Sequence, residues 1–174
     1  IEEYNEKFIV YSLGNFMFGG NKNPSDKGTF VFQQKFYFEN GKFDQANQYY
    51  QKALNALPQD NLIKIEAASA KINLAQGSKN TELLKSAVKL LTQVTINQSD
   101  NIMAYFMLSR AYGALNDQAK AISALAYYYF YLGAYKKSQI LANKVIKMTS
   151  PNSREYIRAN DIIEYTKDIS ENND

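Results

Sequence analysis

The fold is decided by the stretch Gly41-Lys-Phe-Asp-Gln-Ala-Asn-Gln-Tyr-Tyr-Gln-Lys-Ala-Leu-Asn-Ala-Leu-Pro58. Gly41 suits a turn, and Pro58 ends a helix that begins shortly after it. Ala46, Tyr50 and Ala53 are four and three residues apart, so they lie on one helix face. The two alanines let a second helix approach closely. Because one such helix cannot bury its face alone, the pattern predicts a stack of helical repeats.

The composition sets limits on function. The chain has 174 residues, 45% of them hydrophobic, which predicts one domain with a real core. It contains neither Cys nor His, so thiolate and imidazole metal sites and most hydrolase constellations are not expected. A net charge of +3 is too small to indicate nucleic-acid binding. The mean hydropathy of −0.43 predicts no membrane span.

Helical periodicity runs from residue 43 onward and predicts seven helices joined by short turns, the pattern of an α-solenoid. Within the sixth helix, Ile140, Leu141 and Val145 are expected to face inward. In the last helix, Glu155 stands where it would complete a capping box. After the first helix, the others are expected over 61–76, 81–97, 101–114, 118–132, 135–148 and 153–168. Their expected N-caps, where a capping residue stands, are Asp60, Asn80, Asp100, Asp117 and Asn152.

The first 40 residues have a different character. The run at 8–11 is β-branched and aromatic, and 29–38 alternates between Phe and mostly polar residues, so the two are expected to pair as an antiparallel ribbon. A helix over 28–40, completing a repeat before Gly41, is the alternative. The predicted organisation is therefore a β-rich segment over 1–40, a helical repeat domain over 41–169 and a flexible tail over 170–174.

Residues 41–58 resemble the second half of a tetratricopeptide repeat (TPR), and the resemblance to TPR proteins extends over 41–150. Asn116 and Gly133 take the turn position of Gly41, and Ala121 and Ser138 take the small position of Ala46. The resemblance implies an all-α, TPR-like solenoid with a short β-hairpin-like appendage.

The unit at 61–97 departs from the TPR pattern, since it has extra residues at its turn. It also places Lys64 and Lys71 where core residues would fall. The residues alone do not fix the register of this unit.

Two further resemblances concern shorter stretches. Residues 128–138, with 150–162, are similar to the C-terminal TPR region of bacterial envelope metalloproteases of the zincin type. The catalytic motif of that family needs two histidines, which this chain lacks. Residues 7–42, through the stretch 11–27 and Phe32-Gln-Gln, resemble the closing strands of CapA-type proteins of capsule or poly-γ-glutamate biosynthesis. The metal ligands of those proteins would lie upstream of this stretch.

Together these features predict a non-catalytic module without cofactor or metal that binds a protein or peptide partner. The TPR resemblance implies a concave groove lined by Met103, Phe106, Arg110, Lys120 and Tyr127. The alternative is a non-catalytic fragment of one of the two enzyme-related families. Self-association through the N-terminal strands is a third reading. A bacterial envelope or periplasmic location follows if the metalloprotease resemblance holds, and a cytoplasmic one otherwise.

Two local patterns bear on the groove. Residues 135–158 carry six basic side chains and one acidic one, whereas 159–174 are acidic. Complementarity between adjacent helices is the favoured explanation, and an acidic partner or a membrane surface is the alternative. The aromatic run 127–131 points around its helix, so two or three of its rings are expected in the core.

Overall fold

The computed structural model describes the backbone of residues 2–4, 7–9, 43–78 and 80–171, and the side chains of 43–76 and 80–167. Two short strands, β1 (Glu2–Tyr4) and β2 (Lys7–Ile9), pair antiparallel, with Glu3 opposite Phe8. β2 overlaps the strand expected at 8–11. Its expected partner at 29–38, and the alternative helix over 28–40, lie outside the described residues.

The rest of the described chain is helical, as the periodicity predicted. Seven helices follow one another with short connections between them. They are α1 (Phe43–Ala56), α2 (Asn61–Ser78), α3 (Thr81–Asn97), α4 (Ile102–Ala114), α5 (Gln118–Tyr131), α6 (Tyr135–Met148) and α7 (Arg154–Glu171).

Three of the expected N-caps are confirmed by hydrogen bonds. The side chains of Asp60, Asn80 and Asp117 accept backbone N–H groups from the first turns of α2, α3 and α5, at 3.1, 3.0 and 3.2 Å. Each bond satisfies a donor that a helix start leaves without an intrahelical partner. Asn116 and Gly133 both have positive φ, of 60° and 73°, so they make the tight turns predicted for them.

Two expected caps were wrong by one residue. Asn101, not Asp100, accepts the N–H three residues ahead in α4, at 2.9 Å. Ser153, not Asn152, does the same in α7 at 3.2 Å, so Glu155 is not at the capping-box position. The reason is the same in both places. In each place a turn encloses the expected cap, so the helix begins one residue later. The turn is closed by a hydrogen bond from the N–H of residue 101 to the carbonyl of 98, or from the N–H of 153 to the carbonyl of 150.

The helices are arranged by their order in the chain. Each packs against the helix before it and the helix after it, and α2 also contacts α4 while α5 contacts α7. The contacts are filled by small side chains, which allow the backbones to come close. Ten alanines are at most 2% exposed: Ala46, Ala67, Ala68, Ala70, Ala87, Ala104, Ala111, Ala126, Ala142 and Ala159.

α6 shows how small residues define the buried face. Ser138, Ala142 and Val145 are completely buried, whereas Ile140 is 69% exposed. The expectation that Ile140 faces inward was therefore wrong. Ser138, Ala142 and Val145 are spaced four and three apart, and Ile140 falls about 160° from Ala142 around the helix.

α2 buries two lysines, at positions where the TPR pattern has core residues. Lys64 is 3% exposed and Lys71 is 7% exposed. Lys71 Nζ donates a hydrogen bond of 3.1 Å to the side-chain oxygen of Asn47 in α1, and burial lowers the pKa of its ammonium. The Asn47 amide thus supplies a partner for the Lys71 ammonium where α1 meets α2.

We expect Ala46→Leu to destabilise the fold. Ala46 is fully buried and clusters with Tyr50, Ala67 and Ala70, so a larger side chain would force α1 away from α2. Overpacking of this kind costs roughly 1–3 kcal/mol of unfolding free energy. The control is Gln48→Leu, which adds the same side chain at an exposed position of the same helix. Equal urea midpoints for wild type and Ala46→Leu would show that residue 46 is not at a close helix contact.

Candidate ligand-binding site

A pocket of about 190 Å³ lies where four helices come together. Its residues come from α3, α4, α5 and α7, so they span more than 60 positions of the chain. The lining residues are Thr92, Thr95, Ile96, Tyr105, Leu108, Tyr112, Lys120, Ser123, Ala124, Arg154, Glu155 and Arg158. We call this the basic pocket.

Three cations and one carboxylate line the basic pocket: Lys120, Arg154, Arg158 and Glu155. Lys120 Nζ also forms an ion pair of 2.6 Å with the Asp117 carboxylate, which raises the lysine pKa. The pair is partly exposed, so it contributes little to stability. Because Arg154 is exposed and the pocket has an excess of positive charge, an anionic group is the ligand that it favours.

Arg158 is held in place by a stack of aromatic rings. Its guanidinium carbon lies 4.2 Å from the centre of the Tyr127 ring, a cation–π contact. The Tyr127 ring in turn stacks on Tyr105 at 5.2 Å. Burial opposes the charge of Arg158, but the neighbouring Tyr127, Tyr105 and Glu155 raise its pKa above the ordinary value. The arginine is therefore a fixed cation in a preorganised position.

The two tyrosines of the pocket keep their protons well into alkaline solution. Burial, followed by the nearby Tyr131, raises the pKa of Tyr105 to about 12. Burial also raises the pKa of Tyr112, whose ring lies 5.6 Å from Lys120 Nζ. Neutral hydroxyl groups can donate hydrogen bonds, so the pocket combines cations with donors.

The structure brings together two of the five residues expected in the groove. Lys120 lines the basic pocket, and Tyr127 contacts both Arg158 and Tyr105 of its lining. The other three, Met103, Phe106 and Arg110, are not among the lining residues. On α4 they are spaced three and four apart, which places them on the helix face opposite Tyr105 and Tyr112.

That second face of α4 makes contacts of its own. The Phe106 ring packs against Tyr128 of α5, with ring centres 5.4 Å apart. The Arg110 guanidinium donates a hydrogen bond of 3.0 Å to the Asn73 side chain of α2. Met103 is 50% exposed. Phe106 and Arg110 therefore connect neighbouring helices, and Met103 has the most accessible side chain of the three.

Sequence reasoning missed Arg154, Arg158 and the tyrosines of the pocket as candidate residues. For the two arginines, a signal is present in the basic stretch 135–158, for which complementarity between helices is the explanation that the sequence favours. The ion pairs shown between described side chains, Lys85–Glu82 and Lys120–Asp117, do not join this stretch to the acidic one after it. Four of its lysines, at 136, 137, 144 and 147, are exposed.

The aromatic run 127–131 is half-buried along its whole length. Tyr127 and Tyr131 both stack on Tyr105, and Tyr128 packs on Phe106. Phe130 meets Tyr165 of α7 edge-on at 5.0 Å. The run therefore joins α4, α5 and α7, and its rings are packing residues. Through Tyr127, which contacts Tyr105 and Arg158, the run also supports the lining of the basic pocket from behind.

No family model matches this chain, and no curated protein is significantly similar to it. Within the described residues, no group of His, Cys, Asp and Glu has the arrangement needed to hold a metal ion. The described helices also include none that combines enough length and apolar character to cross a membrane.

The raised pKa of Tyr105 predicts how stability depends on pH. The unfolded chain releases this proton near pH 10, whereas the folded chain holds it to about 12. The contribution of Tyr105 is therefore complete below pH 10 and is lost as the pH rises to about 12. Tyr105→Phe lacks the titrating group, so urea unfolding should show a smaller loss of stability between about pH 9 and about pH 11 than in wild type.

Tyr165→Phe is the matched control, because Tyr165 is 53% exposed and the change keeps its ring. It should lose stability over this interval as wild type does. The same loss in Tyr105→Phe would contradict the proposed burial of the Tyr105 hydroxyl.

Proposed function

We propose that residues 41–169 form a TPR-like solenoid, preceded by a short β-hairpin-like appendage, that binds a protein or peptide partner without catalysing a reaction. Sequential helix packing through small residues supports the solenoid. In stacked helical hairpins, alternate helices share a face, and the stack as a whole offers extended binding surfaces. α3, α5 and α7 are such alternate helices, and all three contribute to the basic pocket.

The observation that carries this proposal is the convergence of Lys120, Arg154 and Arg158 beside exposed apolar surface. Ile96, at the edge of the pocket, is 74% exposed, and Ile157 of α7 is 53% exposed. Cations next to accessible apolar side chains suit a peptide that carries acidic residues and an apolar anchor. Lys120 and Tyr127 are proposed as partner contacts, as the sequence predicted, and Arg154 and Arg158 are proposed as additional contacts.

The remaining expected residues extend the proposed surface. Met103 offers a flexible apolar side chain on the second face of α4, and Phe106 and Arg110 lie beside it. These residues are proposed as partner contacts of lower importance, because Phe106 and Arg110 already make contacts between helices. A partner that uses both faces of α4 would have to wrap around an end of the helix.

The resemblance of residues 128–138 and 150–162 to envelope metalloproteases supports a narrower version of this proposal. These stretches form the last turn of α5, the start of α6 and the first half of α7. In that version the module would hold a substrate for a separate protease domain in the bacterial envelope. The preference of the basic pocket for acidic residues would then help to select the substrate.

The test is a selection of binding peptides from a random displayed library. We expect wild type to enrich sequences that contain Asp or Glu beside an apolar residue. Arg154→Glu should weaken the selected peptides at least tenfold, about 1.4 kcal/mol, as measured by fluorescence anisotropy. Arg154 is exposed at the first turn of α7, where a carboxylate is favourable, so the fold should be retained.

Lys144→Glu is the matched control, because it makes the same change of charge at an exposed position of α6 outside the pocket. It should bind the selected peptides within about twofold of wild type. Equal weakening by the two variants would indicate a general charge effect. Absence of enrichment by wild type would contradict the proposed function.

A further inference from the structure

A second pocket, of about 490 Å³, lies between α1, α2 and α3. Its lining combines apolar side chains with four neutral amides and a single charged group. The lining residues are Gln51, Leu54, Pro58, Gln59, Lys64, Leu90, Gln93, Ile96 and Asn97. We call it the amide pocket. It shares only Ile96 with the basic pocket, so the two lie on either side of the C-terminal half of α3.

Lys64 is the unusual member of this lining. The residue is 3% exposed. Within the described part of the chain, no side chain or carbonyl accepts a hydrogen bond from its ammonium, and no carboxylate forms an ion pair with it. Its neighbour Lys71, also buried in α2, has the Asn47 amide as a partner. A buried charge without a partner is costly, and native structures rarely keep one without a reason.

We propose that the amide pocket binds a small organic acid with one carboxylate, an amide and an apolar body, the chemistry of an N-acylated apolar amino acid. Lys64 would pair with the carboxylate. One lysine supplies one positive charge, which matches a monoanion rather than a phosphate dianion. Gln51, Gln59 and Gln93 are exposed along the pocket and supply donors and acceptors for an amide group.

The remaining walls match the apolar part of such a ligand. Leu54 of α1 and Leu90 of α3 are half-buried, and Pro58 closes the turn between α1 and α2. Asn97 donates to the Asn61 side chain at 3.2 Å, which fixes the position of its amide at the edge of the pocket. A volume of about 490 Å³ is within the range of sites for small molecules.

The test uses N-acetyl-L-leucine as the probe and N-acetyl-L-leucinamide as its neutral counterpart. Binding to the full chain is followed by isothermal titration calorimetry and by NMR shifts of backbone amides. We expect the acid to bind and to shift Leu54, Leu90 and Asn97. The neutral amide should bind at least tenfold more weakly, because it lacks the charge that pairs with Lys64. Inorganic phosphate should leave these resonances unchanged.

Lys64→Met tests the role of the lysine, because Met keeps an unbranched side chain of similar length without the charge. It should weaken the acid at least tenfold and leave the weak binding of the neutral amide unchanged. Removal of a buried charge to which the described residues offer no partner should also raise the melting temperature, so the variant is expected to fold. Lys89→Met removes a charge from an exposed position of α3 and should change neither property.

A peptide that ends in leucine with a free carboxylate distinguishes the source of the acid. Binding tighter than that of N-acetyl-L-leucine would assign the pocket to a chain end, and equal or weaker binding would assign it to a free small molecule. The proposal is overturned if wild type binds no acid, if acid and amide bind equally, or if Lys64→Met binds the acid as wild type does.

Discussion

Close contact between neighbouring helices is the constraint on which the rest of this structure depends. It requires alanine or serine where two helices meet, because a larger side chain would separate their backbones. The contacts of α1, α3, α4 and α6 all use such residues, and Ser138 adds a hydrogen bond of 2.8 Å to the carbonyl of Ala126. Large side chains fill the space around these contacts, as Tyr50, Ile72 and Leu91 do.

This arrangement also determines where the two pockets form. The helices pack in chain order, with further contacts between α2 and α4 and between α5 and α7, so the spaces among them are lined by residues far apart in the sequence. The basic pocket has one fixed cation, since Arg158 lies over the Tyr127 ring, which in turn stacks on Tyr105. The amide pocket has one buried lysine among neutral groups. The two pockets therefore favour different ligands, although Ile96 contributes to both.

Local features of the sequence were sufficient to predict most of the helical part. Helix α3 was expected over 81–97 with an Asn80 cap, and it has those bounds, because capping and periodicity depend on residues close in the chain. The two displaced caps show the limit of this reasoning. Asp100 and Asn152 have side chains that suit an N-cap, but a turn encloses each of them. The next residue, Asn101 or Ser153, is also polar and takes the N-cap position instead.

The candidate site was less predictable, since it depends on contacts between distant helices. Lys120 and Tyr127 were proposed from their helix positions, but nothing local indicates that Arg158 lies over the Tyr127 ring, 31 residues earlier. The exposed position of Ile140 was missed for a related reason. Periodicity shows which residues of α6 are apolar, whereas the packing of the neighbouring helices determines which face of α6 is buried.

Amide hydrogen exchange measured by NMR tests most directly the central claim that each helix is held by its neighbours in the chain. The account predicts the slowest exchange in α3, α4 and α5, which lie farthest from the two ends of the stack, and progressively faster exchange through α6 and α7. Exchange in α7 as slow as that in α4, or uniform protection across all seven helices, would contradict it.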